Sequence, residues 1–320
     1  MKKFLLIFLF LSFNSNSQNL SKVDQIIKSY PYIGSIENLA KKIDYDFLTK
    51  IEKARAVYSW LTININYYSD NILKPSELII YYNEYDLKRR RINIEKRRKE
   101  KIINDMISLR RGNCEGYALV FNKICELLKL ESYIIKGYVK TNANEIEYLA
   151  KEKNHAWNAI KINNNWIFLD ATFGSERLNG IVNNSKHEKY YFNIKKEELI
   201  KTHYPSDKIW IKIMGQNPLI DFCDKPIFNK SFFIQKAKLI SHKKGKIIIK
   251  KREKIRLKLK GLKPKTKILY SYNLDQNSKK PNIKIKKGIT EMVIKAPKKN
   301  SFLTIFFDEE QALQYKVVVR

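Results

Sequence analysis

The chain has 320 residues, enough for one large or two ordinary domains with a core of useful size. Its 63 lysines and arginines exceed its 32 acidic residues by 31, which raises a polyanionic partner; the basic residues are scattered rather than gathered in a recognition motif, and drift toward Ile, Lys, Asn and Tyr is the simpler account. Three cysteines (Cys114, Cys125 and Cys223) exclude a disulfide framework, and no CxxC or HxxxH spacing supports a metal site.

The N-terminus reads as a signal peptide over residues 1–17. Lys2-Lys3 is its basic start, Phe4 to Phe13 an apolar run too short to span a bilayer, and Ser15-Asn16-Ser17 a small-residue cleavage site before Gln18. No cysteine follows that would take a lipid, and no later stretch has membrane length, so an exported protein, periplasmic or secreted, is expected.

Asn19 to Tyr30 is helix-like and broken by Pro31 and Gly34. Asp44 to Thr62 reads as one helix, with Ala54, Val57, Tyr58 and Leu61 at helical spacing and Trp60 beside them. Residues 88–101, KRRRINIEKRRKEK, predict a solvated helix face or exposed excursion; a basic arm for acidic substrates or the cell envelope is the sharper alternative. Ile102, Ile103, Met106, Ile107 and Leu109 return to an apolar helical face that leads into a turn at Gly112.

Cys114 to Leu130 is the clearest helix. Tyr117, Ala118, Phe121, Ile124, Cys125 and Leu128 form its buried stripe, and Asn113 is a plausible N-cap. Cys125 on that stripe reads as an inert core residue. Ser132 to Val139 is a strand. After a polar loop, roughly 141–153, Asn154 to Ile162 and Trp166 to Ala171 form a hairpin around Asn163-Asn164-Asn165. A two-residue turn at Asn163-Asn164 sets Ile162 opposite Asn165 and Trp157 opposite Asp170, so that His155 shares a face with Asp170; a three-residue turn puts them on opposite faces. Lys195 to His203 is helix-like. His187, His203 and His242 read as surface or capping residues. Pro218 and Pro226 mark a border, and from about Ser231 the pattern is β throughout, alternating in Ile255–Lys260 and Ile283-Lys284-Ile285, which suggests a small sandwich.

Cys114, His155 and Asp170 are the candidate catalytic residues. A cysteine at a helix N-terminus faces unpaired N–H groups that favour thiolate, a histidine serves as base and later as acid, and an aspartate orients the histidine. The backbone N–H of Cys114 is one oxyanion donor; a second is not assignable from the sequence. Each residue alone has a bland reading: core cysteine, packing histidine, turn aspartate. Their conjunction carries the expectation.

The residues Ala56-Val57-Tyr58-Ser59-Trp60-Leu61 with Ile65 and Tyr67, Arg111-Gly112-Asn113-Cys114-Glu115-Gly116-Tyr117-Ala118, Gly137-Tyr138, His155-Ala156-Trp157-Asn158-Ala159, and Trp166 with Leu169-Asp170-Ala171-Thr172-Phe173-Gly174 resemble the transglutaminase-like superfamily, within the group that includes kyphoscoliosis peptidase and cytokinesis protein 3. Tyr191-Phe192, His203-Tyr204-Pro205 and Trp210 continue the likeness, which covers roughly residues 50–213. Asn113 departs from the usual aliphatic residue, Phe173 stands where Trp is common, and the basic segment before Arg110 looks like an expansion. The resemblance implies an α+β fold: a papain-like transglutaminase core, its N-terminal helices packed on an antiparallel sheet, over residues 18–215, followed here by a small all-β sandwich-like domain over 216–320. It implies Cys114 as nucleophile, His155 as base and Asp170 as orienter in acyl transfer at amides, with peptidase or amidase chemistry ahead of cross-linking. The expected partner is a protein or peptide substrate, with anionic envelope polymers on the basic surface; nucleic acid is the least favoured. No cofactor and no metal are expected, and no acidic calcium loop is visible. A catalytically silent scaffold is the alternative, and a charge-driven polyanion binder ranks third.

Overall fold

The computed structural model describes residues 20–68, 84–148, 152–175, 188–273 and 277–320, with backbone alone for 84–91. The expected signal peptide lies outside the described residues, and so does His187. Among the described residues no helix is long and apolar enough to cross a membrane.

Three helices open the described chain: α1 (Leu20–Lys28), α2 (Ile36–Asp46) and α3 (Lys50–Asn64). The single helix expected over 44–62 is therefore two. Thr49 breaks it, because its hydroxyl caps Glu52 N while the Glu52 carboxylate returns to Thr49 N, a reciprocal cap that starts α3 afresh. Nor is α3 a striped surface helix: every residue from Ala54 to Thr62 is buried. Its polar members are therefore paired. Arg55 makes a bidentate contact with Asp24 of α1 at 2.8 and 2.9 Å, and Ser59 Oγ donates to the same carboxylate at 2.6 Å. Each large side chain sealed here contributes roughly 1.5–3 kcal/mol.

A two-residue strand, β1 (Asn66–Tyr67), pairs in parallel with β2 (Arg111–Gly112) after the long helix α4 (Glu84–Leu109). Over 92–101 that helix is mostly exposed, in line with the solvated face expected there, and its last turns dock through buried Met106 and Ile107. The reversal into β2 needs a left-handed residue, which is Arg110 (φ 53°). Its guanidinium lies 4.7 Å from both the Tyr32 and Trp60 ring centroids and donates to Ile33 O at 2.8 Å, which holds the unusual backbone in place.

Next come α5 (Cys114–Leu127), β3 (Glu131–Val139), β4 (His155–Ile162), β5 (Asn165–Leu169), α6 (Ala171–Gly174), β6 (Phe192–Ile194), α7 (Lys196–Thr202), β7 (His203–Pro205), α8 (Lys208–Met214) and α9 (Leu219–Asp224). The strands form one antiparallel sheet in the order β6-β5-β4-β3-β7. One side of it packs with α2, α3 and α5 in the main core; Ile135, Trp157, Ala159, Phe168, Leu199 and Met214 form a second cluster.

Beyond Pro226 the chain forms β8 (Ile227–Phe228), a short helix α10 (Lys230–Ile234), and β9 (Lys238–Leu239), β10 (Lys246–Ile249), β11 (Lys254–Lys260), β12 (Ile268–Tyr272), β13 (Asn282–Lys286), β14 (Ile289–Lys295), β15 (Ser301–Phe307) and β16 (Glu310–Val319). The helix at 230–234 interrupts the all-β pattern expected from Ser231: Phe232 and Phe233 are both buried, a helical adjacency that alternation cannot supply. Two sheets, β10-β16-β15-β12 with β8 on β16, and β13-β14-β11-β9, enclose one apolar cluster. β11 alternates as read, with Ile255, Leu257 and Leu259 inward. β13 does not: every residue in it is exposed, because it is an edge strand that pairs only with β14 and has no core behind it. The fold is thus α+β, helices on an antiparallel sheet followed by an all-β region.

Candidate active site

Cys114 is the first residue of α5. Asn113 is its N-cap, accepting from Gly116 N at 3.1 Å. The turn before it is tight because Met106 of α4 sits against both flanking glycines. A Cβ on Gly116 would come within 2.9 Å of Met106 Sδ, and one on Gly112 within 3.0 Å. Polar ties fix the helix start to its neighbours. Tyr117 Oη is 2.8 Å from Ile65 O and 3.0 Å from Ser175 Oγ, and Asn158 Nδ2 of β4 donates to Ala118 O at 3.1 Å.

The β4–β5 turn has two residues. Ile162 pairs with Asn165 and Asn158 with Leu169, and Asn163 (φ 50°) and Asn164 (φ 62°) are both left-handed, as a primed hairpin turn demands. This is the parity that sets His155 and Asp170 on one face. His155 Nε2 donates to Asp170 Oδ2 at 2.7 Å. Both groups are buried, His155 at 8% exposure and Asp170 at 0%. With Nε2 engaged by the carboxylate, Nδ1 is the ring nitrogen left for Cys114, whose sulfur is near enough to favour the imidazolium.

The electrostatics follow from that packing. Burial alone would strip His155 of its proton, but the charge and hydrogen bond of Asp170 outweigh it, the Cys114 contact adds to them, and the imidazolium is pushed up to about 10. Burial likewise opposes the Asp170 charge, and His155 and His203 overcome it, so the carboxyl sits well below its ordinary range. Cys125 is fully buried, and burial pushes its thiol up to about 12 against a smaller opposing effect of the neighbouring Ser132 hydroxyl, the mark of an inert core cysteine. Tyr67 sits opposite Gly112 in the β1–β2 pair. Burial, then the Cys114 and Asp170 charges, raise its phenol.

His203 caps the C-terminus of α7, its backbone N–H donating to Leu199 O, but it is not a surface residue. It is 0% exposed, and its Nε2 donates to the same oxygen, Asp170 Oδ2, at 3.0 Å. Its Nδ1 lies 2.7 Å from Thr202 Oγ1. It arrives through β3, where Gly137 pairs with His155 on one side and with Pro205 on the other. Gly137 must lack a side chain there, because a Cβ would run into the Tyr204 carbonyl and within 2.9 Å of Trp157 Cη2. Sequence spacing carries no signal for this contact, since His203 lies 48 residues beyond His155 and reaches the site only through a non-local strand pair. Phe173, the departure from Trp, packs over both imidazoles, its ring 4.9 Å from His155 and 5.4 Å from His203. Trp157 lies 6.1 Å from the His155 ring, nearly parallel, and 5.0 Å from that of His203.

One ligand atom from each of His155, Asp170 and His203 lies within 4.8 Å of the others, so the three form a potential metal-binding group. The donor set fits poorly. Asp170 Oδ1 already accepts from Thr172 N at 2.9 Å and Phe173 N at 3.0 Å, and Oδ2 sits at hydrogen-bond distance from both imidazoles, so an ion would have to displace both contacts.

A family model described as Transglutaminase-like superfamily matches residues 37–171, which include Cys114, His155 and Asp170 but not His203. Human (Homo sapiens) kyphoscoliosis peptidase is 24% identical over 240 residues, covering 74% of this chain and 33% of that protein. Cytokinesis protein 3 of Saccharomyces cerevisiae is 30% identical over 141 residues, covering 41% of this chain and 15% of that protein. The chain thus spans a third or less of the length of these relatives. A solved structure described as a TGase aligns over 59% of this chain and 39% of its own at 12% identity, with a TM-score of 0.27. Residues 37–171 thus carry a transglutaminase-like domain, and the chain is similar to kyphoscoliosis peptidase and cytokinesis protein 3.

Proposed function

We propose that the chain is a cysteine acyl-transfer enzyme acting on amide bonds of a protein or peptide, with Cys114 as nucleophile, His155 as acid and base, and Asp170 as orienter. The observation that carries this reading is the contact of His155 Nε2 with Asp170 Oδ2 at 2.7 Å, which leaves Nδ1 to serve a thiol at a helix N-terminus. The Cys114 thiol gives its proton to His155, its sulfur attacks the carbonyl carbon, and the C=O π pair moves onto oxygen, where the Cys114 N–H, at a helix position without an intrahelical acceptor, can receive it. Collapse breaks the C–N bond, and the amine leaves with the His155 proton. Water, or a second amine, then gives a proton to His155 and cleaves the thioester, which restores the thiol. Hydrolysis is preferred to cross-linking, because among the described residues no feature around Cys114 selects a lysine amine over water.

Export by a signal peptide at 1–17 and a domain boundary near residue 216 belong to the same proposal. So does contact of the exposed basic face of α4 with anionic envelope polymers. The test is a panel of glutamine and peptide substrates, with products identified by mass spectrometry for wild type and Cys114→Ala. Release of peptide fragments, ammonia or amine-linked product by wild type alone supports the reading and names the reaction. No turnover with any substrate favours a silent scaffold.

A further inference from the structure

We propose that His203 is a positioning residue for this site, acting through Asp170 rather than on substrate. The proposal rests on the acyl-transfer reading and extends it to a residue outside the span that the family model matches. A carboxylate has about four acceptor positions. In Asp170 all four are filled: Thr172 N and Phe173 N on Oδ1, His155 Nε2 and His203 Nε2 on Oδ2. Three of those donors are fixed by local geometry, two by the first turn of α6 and one by the β4–β5 hairpin. The fourth comes from β7, an otherwise separate part of the sheet.

A fully buried carboxylate left one donor short would bear much of its desolvation cost uncompensated and would swing toward other donors or water. His203 prevents this only if its Nε2 carries a proton and its ring is held. Both conditions are met. Burial and the neighbouring His155 keep the ring below its ordinary range against the pull of Asp170, so it is a neutral imidazole with one N–H. The ionised Asp170 carboxylate can only accept, so Nε2 carries that proton, and Nδ1 of the neutral ring then accepts from the Thr202 hydroxyl at 2.7 Å, which also lies 3.1 Å from Leu199 O. The ring is further clamped by Trp157 at 5.0 Å and Phe173 at 5.4 Å, the same two rings that flank His155. Asp170 Oδ2 is thereby held at a point from which it orients His155, and His155 in turn faces Cys114.

The test measures alkylation of Cys114 by iodoacetamide at neutral pH, together with the ¹⁵N chemical shift of His155 Nε2, which reads the Asp170 contact without any thiol chemistry. His203→Phe keeps the ring volume and removes the donor. His203→Gln keeps an N–H near the position of Nε2. We expect His203→Phe to slow alkylation about ten-fold and to move the His155 resonance, and His203→Gln to recover to within about three-fold of wild type. In an Asp170→Asn background the His203→Phe substitution should have no further effect. If His203→Phe does not fold, Thr202→Val, which removes only the hydroxyl that donates to Nδ1, should produce a smaller change of the same sign in both readouts. Equal losses in the Phe and Gln variants, an unchanged His155 resonance, or losses that add in the Asp170→Asn background would overturn the proposal. A moved His155 resonance with a wild-type Cys114 no more reactive than an ordinary thiol would sink the acyl-transfer reading and leave the positioning role standing.

Discussion

His155 Nε2 and Asp170 Oδ2 meet at 2.7 Å across a hairpin whose turn is two left-handed asparagines. Side chains alternate along both strands, so one residue more in the turn would send Asp170 to the far face. Insertion of a single glycine between Asn163 and Asn164 should therefore reduce Cys114 alkylation to the level of His155→Ala while the β-rich C-terminal region stays folded. Replacing both asparagines by valine leaves the register but strains two left-handed positions, at about 1–2 kcal/mol each. Urea unfolding should show that loss, and Asn164→Gly should show none.

The buried pair also fixes a pH profile of stability. His155 is raised from 6.5 in the unfolded chain to about 10 in the folded one, so its contribution is complete below about pH 6.5 and is lost as pH rises toward 10. Asp170 is depressed below 3.8, so its contribution is complete above about pH 4 and is lost as pH falls through its lower folded value. Between those limits the pair's contribution is level. Unfolding free energy measured from pH 5.5 to 9.5 should decline by on the order of a few kcal/mol in wild type, and the decline should flatten in His155→Phe. A wild-type profile that rises over this range would contradict the assignment of the buried proton to His155.

Arg98 joins the basic helix to the nucleophile's helix. Its guanidinium donates to Glu115 at 2.8 and 3.0 Å and to Glu95 at 2.9 and 3.1 Å. The hydrogen bond from Arg98, against the cost of burial and with help from Lys136, pulls the Glu115 carboxyl down to about 2. Arg98→Ala should cost only about 1 kcal/mol of global stability, as partly exposed pairs do. It should nevertheless speed tryptic cleavage within residues 96–101 several-fold, and Glu115→Gln should fall between that variant and wild type. Unchanged cleavage would mean that Met106 and Ile107 alone seat the helix.

The parts of the site encoded by local spacing were legible. Asn113 as cap, the buried stripe of α5, the inert Cys125 and the hairpin parity all depend on residues within a few positions of one another. His203 was not legible as part of the site, because its place depends on β3 pairing with β7; the likeness of His203-Tyr204-Pro205 to the family carried no role for it. The division between α2 and α3 was missed because the apolar spacing runs on past Asp46, and only the reciprocal Thr49–Glu52 cap breaks it. Ile283 and Ile285 alternate like core residues, yet β13 is an edge with no layer behind it, and alternation cannot say whether a second sheet covers a strand.

The C-terminal sheets enclose a cluster of their own, with Leu257 of β11 opposite Met292 of β14 and both fully buried. Leu257→Ala should cost about 2–5 kcal/mol through the cavity it leaves. The exposed neighbour Lys258→Ala should stay within about 0.5 kcal/mol of wild type. Because the cysteine site packs in other clusters, the Leu257→Ala protein should alkylate Cys114 at the wild-type rate under native conditions; a loss there would show that the two regions are coupled.

The most direct test of the central claim is the rate at which iodoacetamide modifies each cysteine between pH 5 and pH 9, located by peptide mapping. Cys114 should react ahead of the buried Cys125 and Cys223, at least about ten-fold faster at pH 6 than an ordinary thiol, and should fall to the ordinary rate in His155→Ala. A Cys114 that follows ordinary thiol titration, with the same profile in wild type and His155→Ala, would contradict a thiol activated by the imidazole that Asp170 holds.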